Sequence, residues 1–119
     1  EYIFQIRNKP EYHNHLGTIH AGVIFALAEA TSEECLYTSF TEYAENAIPV
    51  LHKSTVTFSS PGNTTLYSNA EISFEEKERL LYELDEKGRT ILEVTVFVYD
   101  ESNIEVFQAA FEWFITFKK

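Results

Sequence analysis

Apolar and polar residues alternate along five stretches of the chain, and such alternation is typical of β-strands with one face against a core. In the last stretch every second residue from Phe107 to Phe117 is apolar, so this face is expected to meet the core. The turn sequence Pro61-Gly62-Asn63 separates the second stretch from the third, and we interpret these two as a hairpin. The predicted strands are 2–7, 47–60, 66–74, 89–100 and 104–118.

One long helix is predicted by a stretch that is apolar almost throughout. Between residues 21 and 30 only Glu29 is neither apolar nor glycine, so this helix is expected to be buried on every side, with the Glu29 carboxylate inside. Gly17 allows a tight turn before the helix, and Thr18 is the predicted cap for its first free N–H groups. The helix is therefore expected over about 20–40.

A second helix is predicted where the alternation breaks again, over 75–87. Leu80, Leu81 and Leu84 recur at helical spacing among many charged residues, which favours a helix at the surface. Gly88 follows where a left-handed C-terminal residue belongs.

These elements predict an α+β fold class, because the strands follow one another mostly without an intervening helix. A curved antiparallel sheet would wrap around the long central helix, with the short extra helix on the surface. A chain of 119 residues is long enough for one core, so we expect a single domain over 1–119.

Charge and cysteine content narrow the possible partners. The formal net charge of −10 argues against nucleic acid, since phosphate-binding proteins need a basic surface. Lys53, Lys87 and Arg89 could offset that charge for an anionic ligand if they converged, which the sequence leaves open.

Cys35 is the single cysteine and has no internal disulfide partner, as expected in a reducing compartment such as the cytoplasm.

No membrane association is expected either. The chain has no run of about 18 apolar residues, so it has no predicted membrane span. Its first residues do not resemble a secretory leader, and an N-terminal extension before Glu1 stays open.

The most specific motif is GTIHAGVIFALAEA at 17–30. It resembles the H-G-G-x-x-x-x-L-A-E/D signature of hotdog-fold acyl-CoA thioesterases, in particular the 4-hydroxybenzoyl-CoA and phenylacetic-acid-pathway branches. Ala21 replaces the first glycine of that signature, and Glu33 stands where some members carry Ser or Thr. The likeness extends over nearly the whole chain and implies the hotdog fold.

This resemblance also implies roles for individual residues. The Ala21 N–H would polarise the thioester carbonyl, and Glu29 would be the nucleophile or the general base. His20 would flank the reacting group and Asn14 would supply an upstream amide, although an Asx-turn for Asn14 and a backbone hydrogen bond for His20 stay open. The predicted substrate-binding residues are Gly22, Thr18 and Lys53.

The predicted function is hydrolysis of an acyl thioester of coenzyme A or of an acyl carrier protein. A helix N-terminus suits the oxyanion that forms when a thioester is attacked. One alternative is a non-catalytic acyl-binding or dimerisation module of the same fold. The other is a hydratase or dehydratase. Fatty-acid dehydratases of the hotdog fold resemble the pattern P-G-V-L-x-x-E-A, in which the acid comes five residues after the glycine, whereas Glu29 lies seven after Gly22.

We expect no cofactor besides the coenzyme A of the substrate, and no metal. The histidine and cysteine spacings match no zinc pattern. The residues considered are His13, His15, His20, His52 and Cys35.

A homodimer or dimer of dimers with shared active sites is also expected. Ala21 and Glu29 are eight residues apart, which is about 12 Å along a helix, too far for one carbonyl to contact both. A second helix running antiparallel would bring Glu29 of one chain near Ala21 of the other and create two equivalent sites.

Overall fold

The computed structural model describes residues 3–39, 41 and 45–117. Its elements are β1 (Phe4–Ile6), α1 (Ala21–Ser39), β2 (Ala47–Phe58), β3 (Leu66–Glu71), α2 (Phe74–Lys87), β4 (Arg89–Tyr99) and β5 (Glu105–Phe117), with a 3-10 turn at Pro10–Tyr12. The strands form one antiparallel sheet in the order β1-β3-β4-β5-β2, which confirms the α+β class.

The core lies between α1 and one face of the sheet, which we call the inner face, and Leu80 and Leu84 of α2 are buried in it as well. β4 and β5 form the centre of the sheet, and their alternate residues are buried under the helix, as the sequence pattern predicts. Val94 pairs with Phe111, and the Phe111 ring meets the Phe25 ring of α1 edge to face at 5.5 Å. The other face of the sheet, the outer face, carries the remaining side chains of these strands.

The expectation that α1 is buried on every side is wrong. Gly22, Ala26 and Ala30 follow one another along the side turned away from the sheet and are exposed, and Glu29 is half-buried beside them. A helix on a single sheet is covered only along the stripe that faces the sheet. The buried residues of α1 are Ile24, Leu27, Ala28, Thr31, Ser32 and Leu36.

The predicted hairpin between the second and third strands is also wrong. β2 pairs with β5 and lies at one edge, whereas β3 pairs with β1 and β4 near the opposite edge. The segment after β2 passes the start of α1, where the Ile19 N–H donates to the Gly62 carbonyl at 2.6 Å. Pro61-Gly62 therefore belongs to a connection that runs from one edge of the sheet towards the other. A turn sequence alone does not distinguish such a connection from a hairpin.

The second helix begins one residue earlier than predicted. The Ser73 hydroxyl accepts a hydrogen bond from the Glu76 N–H at 3.1 Å, so Ser73 is the N-cap. Phe74 therefore starts α2 and is 73% exposed, whereas the strand pattern had placed it on a buried face. Gly88 closes the helix with φ of 71°, as predicted.

α2 also covers part of the edge of β4 that faces β3. β3 pairs with β4 only as far as Thr95, so among the described residues the β4 backbone before Thr95 has no strand partner on that side. Arg79 donates to the Ile91 carbonyl at 2.6 Å, and the Glu76 carboxylate accepts from the Glu93 N–H at 3.4 Å. Side chains of α2 thus satisfy the backbone that a sixth strand would otherwise pair with.

Candidate active site

The loop before α1 is shaped by the side chain of Asn14. Its amide oxygen accepts from the Leu16 N–H at 2.9 Å and from both the N–H and the hydroxyl of Thr18, at 3.3 and 3.2 Å. Gly17 completes the turn with φ of 80°. The amide oxygen of Asn14 thus forms the Asx-turn that the sequence left open. Its Nδ2 group has no partner among the residues that the structure describes.

His20, and not Thr18, caps the start of α1. The ring Nδ1 of His20 accepts a hydrogen bond from the Gly22 N–H at 3.0 Å, whereas the Thr18 hydroxyl donates to Asn14. The His20 N–H donates to the Tyr12 carbonyl at 2.7 Å, which holds the entry to the helix in place. His20 directly precedes the first helical residue, Ala21, whereas Thr18 lies three residues before it, too early for the capping position.

The N–H of Ala21 is left open by this arrangement. The next two N–H groups, of Gly22 and Val23, bond to Nδ1 and to the carbonyl of His20. In the described part of the chain the Ala21 N–H has no acceptor. An unpaired N–H at the positive end of a 19-residue helix is a donor suited to an anionic oxygen.

A cleft of about 390 Å³ is lined in part by Ala21. It brings together three of the predicted site residues, Asn14, Thr18 and Ala21, against an apolar wall. The sequence did not single out that wall, which is formed by Ile24, Phe58 and Pro61. Phe58 packs on Phe107 of β5 with ring centroids 5.1 Å apart.

Glu29 does not line this cleft. It lies two turns further along α1, and within 3–39, 41 and 45–117 its carboxylate has neither a hydrogen bond nor an ion pair. A single chain therefore places the proposed donor and the proposed acid apart, as the eight-residue separation predicts.

The other residues predicted to bind substrate or its charge lie in different parts of the structure. Gly22 is exposed at the first turn of α1, and Lys53 is exposed on β2, opposite Glu112 of β5, and does not line the cleft. Lys87 and Arg89 do meet, but in a different cleft, next to α2.

No metal centre is visible in the described residues, where no three His, Cys, Asp or Glu side chains gather. His52 instead lies 3.5 Å from the Glu112 carboxylate. No helix of the described chain is long and apolar enough to cross a membrane.

Residues 2–115 match the model of a protein family described as a domain of unknown function, DUF4442. The chain belongs to this family. A comparison with curated proteins finds no match.

Solved structures resemble the chain over most of its length. PA5026 from Pseudomonas aeruginosa, a probable thioesterase, is 23% identical with a TM-score of 0.82, covering 96% of this chain and 74% of its own. BH2602 from Bacillus halodurans, solved with CoA, is 17% identical with a TM-score of 0.74, covering 93% and 68%. Smu.793 from Streptococcus mutans, bound to acetyl-CoA, is 21% identical with a TM-score of 0.66, covering 97% and 80%.

These likenesses establish the hotdog fold for this chain, as the motif at 17–30 predicts. They do not assign it to the 4-hydroxybenzoyl-CoA or phenylacetic-acid-pathway branch, which stays a prediction.

Proposed function

We propose that the chain is a thioesterase that hydrolyses an acyl thioester of coenzyme A or of an acyl carrier protein. The observation that carries this proposal is that Ala21, whose N–H has no acceptor in the described chain, lines a cleft with an apolar wall. An acyl chain fits such a wall, and its carbonyl oxygen would accept from the helix N-terminus. Two structural relatives hold CoA or acetyl-CoA, which supports this class of ligand.

In the proposed reaction a water molecule is the nucleophile. Glu29 takes a proton from water as its oxygen adds to the thioester carbon, and negative charge develops on the carbonyl oxygen next to the Ala21 N–H. The carbon–sulfur bond then breaks, and the proton passes to the leaving thiolate. The products are a carboxylic acid and a thiol. Direct attack by Glu29, through an anhydride that water then hydrolyses, gives the same products.

The Nδ2 group of Asn14 is the second donor in this proposal. The amide oxygen holds the loop, so the orientation of the amide is fixed and its N–H groups remain available to the cleft. A pre-oriented donor of this kind stabilises an oxyanion without reorganising during the reaction.

The active unit of the proposed enzyme is a dimer, because one chain separates Ala21 from Glu29. β2 supports this inference: it is a 12-residue strand at the edge of the sheet, with Val50 55% and Phe58 48% exposed. A long edge strand with apolar side chains is a template for pairing with another strand. Antiparallel pairing of two β2 strands around a two-fold axis would extend the sheet and set the two α1 helices antiparallel.

Turnover of a panel of acyl-CoAs of different chain length tests the activity. Hydrolysis that depends on Glu29 supports the proposal. Saturable acyl-CoA binding without any hydrolysis would instead support the non-catalytic acyl-binding alternative.

A mixture of two inactive variants tests the shared site. Glu29→Gln removes the acid, and Ala21→Pro removes the donor N–H at a helix position that tolerates proline. After subunit exchange about half of the dimers are mixed and each regains one site of two, so about a quarter of wild-type activity should return. Exchange verified by mass without any recovery, or full activity in a sedimenting monomer, would contradict the shared site.

A further inference from the structure

A second cleft, of about 480 Å³, lies between α2 and the outer face of β4 and β5. We call it the basic cleft, and its defining side chains are Arg79, Glu83, Lys87, Arg89, Ile91 and Phe114. Neither the motif around α1 nor the proposed hydrolysis uses any of them.

Positive charge is concentrated here on a strongly acidic chain. Three cationic side chains meet two carboxylates here, Glu83 in the lining and Glu76, which pairs with Arg79 at 2.8 Å, so the local charge is +1 on a chain of −10. Glu83 is already engaged, because it accepts from Arg79 at 2.9 Å and from the Thr90 hydroxyl. Lys87 and Arg89 have no carboxylate within 4.0 Å in the residues that the structure describes, and the charge of Lys87 acts on Glu83 only from beyond that distance. Two cations are therefore available to a ligand.

The floor of the basic cleft is apolar. Ile91 and Phe114 are paired neighbours on β4 and β5, and they are 38% and 39% exposed. Their side chains lie on the outer face, whereas α1 covers the inner one. The Phe114 ring and the Ile91 side chain therefore expose apolar surface next to two cations. A bound ligand would cover that surface.

We propose that the basic cleft binds a small organic anion, a carboxylate or phosphate joined to an apolar or planar body. Lys87 and Arg89 bind the anionic group, and the body packs on Ile91 and Phe114. Each half needs the other, because an exposed cation alone binds an anion weakly in water and a shallow apolar floor alone holds a small molecule poorly. Arg79 stays with its own carboxylates and fixes the wall of the cleft.

This site is separate from the proposed active site. The active-site cleft lies at the Phe58–Phe107 pair of the sheet, and the basic cleft lies at the Arg89–Thr116 pair. These pairs are nine residues apart along β5, which is about 30 Å at the rise of a strand. Binding here is thus a further property of the chain and does not depend on its hydrolytic activity.

Calorimetry and amide NMR with three probes test the proposal. Octanoate carries a carboxylate on an aliphatic body, AMP carries a phosphate on a planar body, and inorganic phosphate carries charge alone. We expect saturable binding of octanoate or AMP, tighter than that of phosphate, with amide shifts at Ile91, Phe114 and Thr116. The probe that binds more tightly identifies the body that the cleft prefers.

Variants at the cleft locate the binding. Lys87→Gln and Arg89→Gln should each weaken it about tenfold or more, the usual effect of losing a hydrogen bond to a charged group. Lys77→Gln makes the same charge change at an exposed position of α2 outside the cleft and should leave affinity within about twofold. Phe114→Ser should weaken octanoate or AMP and leave phosphate unchanged.

Three outcomes would overturn the proposal. They are the absence of saturable binding of octanoate and AMP, shifts confined to residues around the start of α1, and affinities that Lys87→Gln and Arg89→Gln leave unchanged. The wild-type shifts decide the location even if a variant does not fold.

Discussion

The two helices begin with the same backbone requirement and satisfy it differently. At α2 the Ser73 hydroxyl accepts from the Glu76 N–H, and Glu75 and Glu76 place two negative charges in the first turn. At α1 the cap is Nδ1 of His20, the first turn has no acidic residue, and the Ala21 N–H has no acceptor among the described residues. α2 thus neutralises its positive end with its own side chains, and α1 does not.

The difference separates a helix start that serves folding from one that is available to a ligand. An acidic first turn stabilises a helix and repels an incoming anion. The start of α1 lacks that stabilisation, and a loop organised by Asn14 holds it in place instead. We expect a helix start without its own negative charges where the negative charge of a ligand or an oxyanion is to be stabilised. The loss of folding stability at such a start is compatible with a role in binding or catalysis.

The largest effect is expected from Glu29→Gln. The variant keeps the volume of a half-buried side chain and removes the proposed base, so hydrolysis should fall by roughly hundredfold to ten-thousandfold with an unchanged melting temperature. Glu78→Gln, an exposed carboxylate of α2, is the control and should retain activity. Turnover by Glu29→Gln at the wild-type rate would mean that hydrolysis does not need the Glu29 carboxylate.

Proline at the first position of each helix compares the two starts directly. Ala21→Pro should lower kcat by about a hundredfold to a thousandfold, the usual effect of losing one oxyanion donor. Phe74→Pro deletes the equivalent N–H of α2, where Ser73 already has the extended backbone that precedes proline, and should leave kcat unchanged. Equal losses in the two variants would remove the functional distinction between the helices.

Two substitutions at Asn14 separate its two roles. Asn14→Asp keeps an oxygen acceptor for Leu16 and Thr18 and removes the Nδ2 donor, so it should lower kcat by about tenfold to a thousandfold at nearly wild-type stability. Asn14→Ala should lower activity on the same scale and also lower the melting temperature. Activity retained by Asn14→Asp would restrict Asn14 to the Asx-turn.

Removing the cap of α2 should affect stability alone. Ser73→Ala deprives the Glu76 N–H of its acceptor and should cost about 0.5–2 kcal/mol of unfolding free energy, measured by denaturant titration. Hydrolysis per folded molecule should not change. A drop in kcat would indicate that α2 takes part in the proposed site.

The smallest effect concerns pH. The hydrogen bond from Thr90, and then the charge of Arg79, lower the pKa of Glu83 from its ordinary value of 4.5. A lowered folded-state pKa contributes stability above the unfolded-state value, and that stability is lost as pH falls through the folded-state pKa. Thr90→Val should therefore be destabilised relative to wild type at pH 7, with a smaller difference in thermal melts below about pH 4. A difference independent of pH would assign the effect to packing.

The sequence by itself was sufficient for elements whose signals are local. Every second residue of β5 is apolar, the α2 leucines recur at helical spacing, and Gly88 supplies the left-handed residue that ends α2. The start of α1 was also predictable, because a glycine turn precedes an apolar run. These features depend on neighbours within a few residues, so a linear pattern contains them.

Only the tertiary structure decided what depends on distant partners. The turn at Pro61-Gly62 is compatible with a hairpin or with a connection between the two edges of the sheet, and the register of β2 with β5 selects the connection. Likewise the apolar run of α1 does not reveal that no element covers its Gly22, Ala26 and Ala30 side in the described chain.

The candidate sites divide in the same way. The family resemblance pointed to Asn14, Ala21 and Glu29, and the structure places the first two in one cleft with Phe58 and Glu29 outside it. Lys87 and Arg89 are two residues apart in the sequence, but the pairing of β4 and β5 was required to bring them together with Phe114. Which side chains share a surface is determined by strand pairing and by helix packing across many residues, because contacts between distant segments form only when the whole core is buried.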